Sequence, residues 1–130
     1  MNYLIPYLVF PGTCQEAMEF YKESLNGEIT LMQSFKDSPI EVSEAFQHRI
    51  FNSELKANGI HFKASDDLPD YETKIGSNVS LYAVFSDRQA KEQAFNKLLE
   101  GGKVLFPIED NFGMLRDKYG VQWMVHHESG

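Results

Sequence analysis

Few residues in this chain could do chemistry together. His48, Asn52 and Glu54 alternate through residues 47–56, with Ile50 between them, and so share one side of a strand there. Gln122, Met124 and His126 share one side of a second alternating segment, residues 121–127. His48, Glu54 and His126 would be a donor set suited to zinc or iron. His48 and Glu54 are six residues apart, however, or about 20 Å at strand rise, so one ion cannot bind both unless the strand bulges. His61 reads as a solvated hairpin residue and His127 as a tail residue. Cys14 opens a helix, where the dipole lowers a thiol pKa, but it also falls on the apolar face of that helix, so a buried structural thiol is expected. Asp66-Asp67 and Glu109-Asp110 read as solvated loop charges. Gly101-Gly102 follows a helix and is a cap, not a phosphate cradle. No Ser-His-Asp pattern or dinucleotide fingerprint is present.

The elements that must position these residues occur twice. Residues 4–10 (LIPYLVF) form an apolar run, and Thr13 then opens an amphipathic helix with Glu16 in a T-x-x-E capping box. Cys14, Ala17, Met18, Tyr21 and Leu25 make its apolar face, and Gly27 supplies a left-handed cap. Residues 79–85 (VSLYAVF) form a second run, and Ser86 with Gln89 opens a second helix whose face is Ala94, Phe95, Leu98 and Leu99, ended by Gly101. Strands are predicted after the first helix at 28–34, 47–56 and 60–64, with Asn58-Gly59 as a type I′ hairpin turn. The second half predicts strands at 103–107, 114–116 and 121–127. The expectation is an α+β fold of two tandem βαβββ modules, about 1–65 and 79–130, joined by an acidic linker at 66–78 and curling a mixed sheet around a cleft. Parity places Leu81, Ala83, Phe85, Val121, Trp123 and Val125 against the helices. It leaves Ser80, Tyr82 and Val84, with Gln122, Met124 and His126, on the other face.

The chain has 130 residues, the size of one domain. Its 42% apolar and 13% aromatic content argues against disorder. A net charge of −7 without a basic stripe disfavours nucleic acid as a partner. A single cysteine precludes an internal disulfide and fits a reducing compartment. With no visible signal peptide and no apolar run of membrane-spanning length, a soluble cytoplasmic protein is expected.

Three blocks carry a family resemblance: Pro6–Glu23 (PYLVFPGTCQEAMEFYKE), Ser53–Gly59 (SELKANG) and Leu115–Val125 (LRDKYGVQWMV). Together they resemble PhnB-like proteins of the vicinal oxygen chelate superfamily, which includes glyoxalase, bleomycin-resistance and extradiol dioxygenase proteins. The resemblance covers essentially the whole chain. It implies paired βαβββ modules, a cavity between them and a homodimer. It also implies a divalent metal held at four strand positions, which fall on Pro6, Asn52, near Ser80, and on Met124. None of these is a good ligand for a hard or borderline divalent ion, so the expected metal site is missing.

The leading expectation is therefore a metal-free binder of an unidentified small molecule in the cavity between the modules. Leu8, His48, Ile50, Asn52, Tyr82, Gln122 and Met124 would form the walls, with Phe112 as a mobile lid. Asn52 and Gln122 would be polar readers, and Tyr82 would stack or donate. One alternative is a metal-dependent lyase, isomerase or dioxygenase with shifted ligands. Another is a dimeric scaffold with a filled cavity. Relatives carry a demethylubiquinone methyltransferase label, but no segment here resembles a methyl-donor site, and the label has little weight.

Overall fold

The computed structural model describes residues 1–128. The described residues form two compact units, residues 1–74 and 75–128. The first contains β1 (Tyr7–Phe10), α1 (Cys14–Leu25), β2 (Glu28–Ser34), β3 (Ile50–Ala57) and β4 (Ile60–Asp66). Its sheet order is β1-β4-β3-β2, with β1 parallel to β4 and the other neighbours antiparallel. The second contains β5 (Leu81–Phe85), α2 (Arg88–Leu98), β6 (Lys103–Phe106), β7 (Gly113–Arg116) and β8 (Gln122–His127). Its sheet repeats that order and sense as β5-β8-β7-β6. This is the tandem βαβββ fold that the internal repeat predicts. Among the described residues, no helix is long and apolar enough to cross a membrane.

Each sheet buries one face under its helix. Cys14, Ala17, Met18, Tyr21 and Leu25 recur at helical spacing and are all buried. Tyr21 packs edge-on to Phe62 of β4, with ring centroids 5.7 Å apart, and lies 6.4 Å from Phe10 of β1. In the second unit Ala94, Phe95 and Leu98 are buried with Leu115, Trp123 and Val125. Burial of a large apolar side chain is worth about 1.5–3 kcal/mol, so these stripes hold the helices in place.

The helix ends differ from the local capping boxes. Thr13 makes no side-chain cap. Asp66, at the far end of β4, supplies it instead: its Oδ1 accepts from the amides of Gly12 and Cys14 at 3.0 and 2.9 Å. For α2 the cap is Asp87, not Ser86, with Oδ1 accepting from the Ala90 amide. Asn26, not Gly27, takes the left-handed conformation after α1, at φ 53°. Gly27 answers to space: a Cβ there would lie 3.0 Å from the Lys56 carbonyl oxygen. The Asn58-Gly59 hairpin forms between β3 and β4, but only Gly59 has positive φ, so the turn is not type I′.

Cys14 is fully buried, with Sγ 3.6 Å from Ser53 Oγ. Burial pushes its thiol up to about 12, against the lowering effect of the Ser53 hydrogen bond. Native protein is expected to be silent to Ellman's reagent at mildly alkaline pH and to release about one equivalent of thiolate once denatured. Rapid labelling of the native state would show that the α1 end opens readily.

Candidate functional site

In the first unit, the sheet face opposite α1 carries Tyr7 and Val9 of β1, Asn52 and Glu54 of β3, and His61 and Lys63 of β4. Tyr7 and Val9 are 49% and 41% exposed, whereas Phe10, Phe62 and Ala64 on the other face are buried. Glu54 Oε1 accepts from the Thr30 hydroxyl at 2.6 Å, and its Oε2 meets His61 Nε2 at 2.8 Å. These two bonds, Thr30 first, hold the Glu54 carboxyl below its usual range. His61 is therefore hydrogen-bonded to Glu54, not simply solvated. Asn52 is partly buried, and its Oδ1 has no hydrogen-bond partner among the described residues.

The other expected walls of this unit lie elsewhere. Leu8 alternates out of phase with Tyr7 and Val9 and pairs with buried Ala64, which puts it on the helix-covered side. Ile50 is 3% exposed and belongs to the core. A bulge separates it from Asn52: Gln33 pairs with Asn52 but Ser34 pairs with Ile50, leaving Phe51 as the extra residue. His48 precedes β3 and is exposed, so it does not share a strand face with Glu54.

The second unit is more coherent. Met114↔Met124 and Met124↔Tyr82 are direct strand partners, so the three side chains form one row on the face opposite α2. Tyr82 is 57% exposed. Arg116↔Gln122 forms the next row towards one end, and Val84↔His126 the next towards the other. Gln122 is not a free polar reader. It is buried, its Oε1 accepts from Arg116 Nη2, and its Nε2 donates to the Ser77 carbonyl and the Ser80 hydroxyl, both at 3.1 Å. Arg116 Nη1 donates to the Gly76 and Gly120 carbonyls. No carboxylate pairs with Arg116 among the described residues.

At the opposite end His126 Nδ1 bonds the carbonyl of Asn111, and the imidazole lies 6.3 Å from the Tyr82 ring. The segment 109–112 that supplies this carbonyl is itself tied down. Lys91 is fully buried in α2, and its ammonium donates to the carbonyls of Glu109 and Asp110, each at 2.7 Å. Phe112 stacks edge-on to Phe106 at 5.5 Å, and an open cavity of about 440 Å³ is lined by residues 109–112. His127 is no tail residue. It pairs with Phe85, is buried, and its Nδ1 has no partner among the described residues. Burial first, then the charges of Lys91 and Arg88, lower its pKa.

The structure thus groups Tyr82, Met124 and Gln122 on one face, with Phe112 nearby on the 109–112 segment. It adds Met114, Arg116 and His126, which were not among the expected walls. The parity of β7 could have pointed to the first two, but a strand of four residues carries almost no periodic signal.

The family described as 3-demethylubiquinone-9 3-methyltransferase matches the chain over residues 2–126. The chain belongs to this PhnB-like family. Protein PA1353 from Pseudomonas aeruginosa is 32% identical over the full length of both chains, with a TM-score of 0.90. A PhnB protein from Bacillus cereus is 25% identical over 98% of this chain and 100% of its own, with a TM-score of 0.80. Protein YjdN of Escherichia coli is 25% identical over 95% of this chain and 93% of its own. The fosfomycin resistance protein FosX of Listeria monocytogenes shares the fold alone, at 9% identity and a TM-score of 0.67.

Of the superfamily's four metal positions, Asn52 alone presents an oxygen with no partner among the described residues, and the side chains at the other three do not fit a hard or borderline ion. Pro6 offers no side-chain donor, and its carbonyl accepts from the Lys63 amide. Ser80 Oγ accepts from Gln122, and Met124 presents a soft thioether. The substitute set fails on other grounds. His48 is off the strand, and Glu54 is engaged by Thr30 and His61. Among the described residues no group of three His, Cys, Asp or Glu is placed to hold an ion.

Proposed function

We propose that this PhnB-like protein binds a small molecule without a metal, using sheet faces not covered by helices, and that it works as a homodimer. One observation carries the reading. The Tyr82–Met124–Met114 row, with Tyr82 exposed and both methionines half-buried, lies between a cation at Arg116 and an imidazole at His126. An adaptable thioether and aromatic floor with a few directed polar groups is how small-molecule sites are built. The methyl transfer named in the family's description would need a donor site that these residues do not provide, and sequestration needs none.

Methionine-methyl NMR tests this directly. Of the five methionines, Met114 and Met124 lie on the proposed floor, and Met18 is buried under α1 as an internal control. Screening a fragment library should shift the Met114 and Met124 methyls and leave Met18 still. Tyr82→Ala should weaken the hits by about fivefold or more, the loss expected for one aromatic contact of about 1 kcal/mol. A library that never moves Met114 or Met124 would remove the proposal.

A further inference from the structure

We infer that the ligand of the second unit's open face is a planar apolar molecule with an anionic group at one end and a hydrogen-bond donor at the other. This rests on the small-molecule reading above and adds the ligand's chemistry.

The donor end follows from His126. A backbone carbonyl only accepts, so the bond to Asn111 requires the proton on Nδ1. In the neutral ring Nε2 is then an unprotonated acceptor, and no hydrogen bond to it is formed among the described residues. The tautomer is fixed from behind. Lys91 acts here as a positioning residue: its buried ammonium anchors the carbonyls of residues 109 and 110 beside the one that holds the imidazole. A ligand O–H or N–H satisfies Nε2; a second acceptor does not.

The anionic end follows from Arg116. Its Nη1 and one Nη2 proton go to three neutral oxygens, those of Gly76, Gly120 and Gln122. The guanidinium is thereby oriented but not neutralised, and Nε with the second Nη2 proton is left for a fork onto a carboxylate. The middle follows from the row between them. Two thioethers and the Tyr82 ring favour a flat, polarisable body. Arg116 and His126 stand two rows apart on either side of a centre row, a span of about 13 Å at strand rise, which one aromatic ring with a short acid arm can bridge.

The probe is 4-hydroxycinnamate, titrated into intact protein with the Met114 and Met124 methyls as readout. Its methyl ester, lacking the charge, should bind about tenfold more weakly or worse, because a hydrogen bond to a charged group contributes about 1.5–3 kcal/mol. Cinnamate, lacking the donor, should bind about fivefold more weakly. These comparisons need no variant and so are blind to folding defects. His126→Phe should erase the difference between 4-hydroxycinnamate and cinnamate and keep the difference from the ester. Long-range nitrogen–proton spectra should place the proton of the neutral His126 ring on Nδ1. If other fragments move Met114 and Met124 while 4-hydroxycinnamate does not, or if the ester binds as well as the acid, this inference falls and the binding reading stands. If nothing moves those methyls, both fall. An Nε2–H tautomer overturns the donor half by itself.

Discussion

Asp66→Ala is expected to lower folding stability by about 4 kcal/mol, a large share of the roughly 5–15 kcal/mol that holds a domain of this size. Asp66 is 4% exposed and serves three backbone donors at once. Its Oδ1 takes the amides of Gly12 and Cys14, and its Oδ2 takes the amide of Ile50 at 2.8 Å. The first two belong to the start of α1 and the third to the start of β3. One carboxylate therefore closes the helix N-terminus and fixes the strand beyond the bulge. Alanine leaves three amides unpaired, two of them in buried contacts, and each such orphan costs about 1–3 kcal/mol. Asp66→Asn keeps one acceptor oxygen but points an amide at a third donor, and should lose about half as much. Urea titration reads both as a lower midpoint with an unchanged slope. A midpoint for Asp66→Ala within experimental scatter of wild type would mean that water replaces the carboxylate and that the α1 cap is not a tertiary device.

That dependence on a residue more than fifty positions away explains where the sequence could and could not be read. The apolar stripe of α1 is set by helical spacing, and Cys14, Ala17, Met18, Tyr21 and Leu25 all bury as that spacing requires. The inward set Ala83, Trp123 and Val125 follows equally from local alternation. The T-x-x-E box also looks local, yet Asp66 displaces it, because a buried carboxylate already aimed at those amides leaves Thr13 no role. Parity failed at Ile50 for a related reason. A bulge adds one residue to β3 at Phe51, and every count carried through it changes side. A second irregularity near Thr30 brings that hydroxyl onto Glu54, a contact no alternation rule predicts. Tyr82 and Met124 were legible as residues of the face away from α2 because β5 and β8 alternate without a bulge. Arg116 was not, because its value lies in being oriented by Gly76, Gly120 and Gln122, which only the folded hairpin brings together.

The same hairpin carries the second large effect. Asp117 is 3% exposed and also serves three donors. Its Oδ1 accepts from the amides of Tyr119 and Val121 at 2.8 and 3.1 Å, and its Oδ2 accepts from the indole Nε1 of Trp123 at 2.9 Å. Trp123 is 1% exposed, so its N–H has no water to fall back on. Asp117→Ala should cost about 3–4 kcal/mol, close to Asp66→Ala, and a larger part of the loss should sit in a single side-chain bond. A double-mutant cycle with Trp123→Phe isolates that part. Phenylalanine removes the donor, so the cost of Asp117→Ala should shrink by about 1–2 kcal/mol in its presence. Additive costs would show that the indole is satisfied in some other way. The result also bears on ligand binding. Arg116 precedes Asp117, and its Nη1 bonds the carbonyl of Gly120 within the same turn. A turn no longer pinned by Asp117 lets that carbonyl move and the guanidinium lose its aim. Asp117→Ala protein studied well below its unfolding midpoint should therefore bind 4-hydroxycinnamate more weakly than wild type while losing little affinity for the uncharged ester. That selective loss separates a misaimed cation from a general loosening of the sheet, which would weaken both.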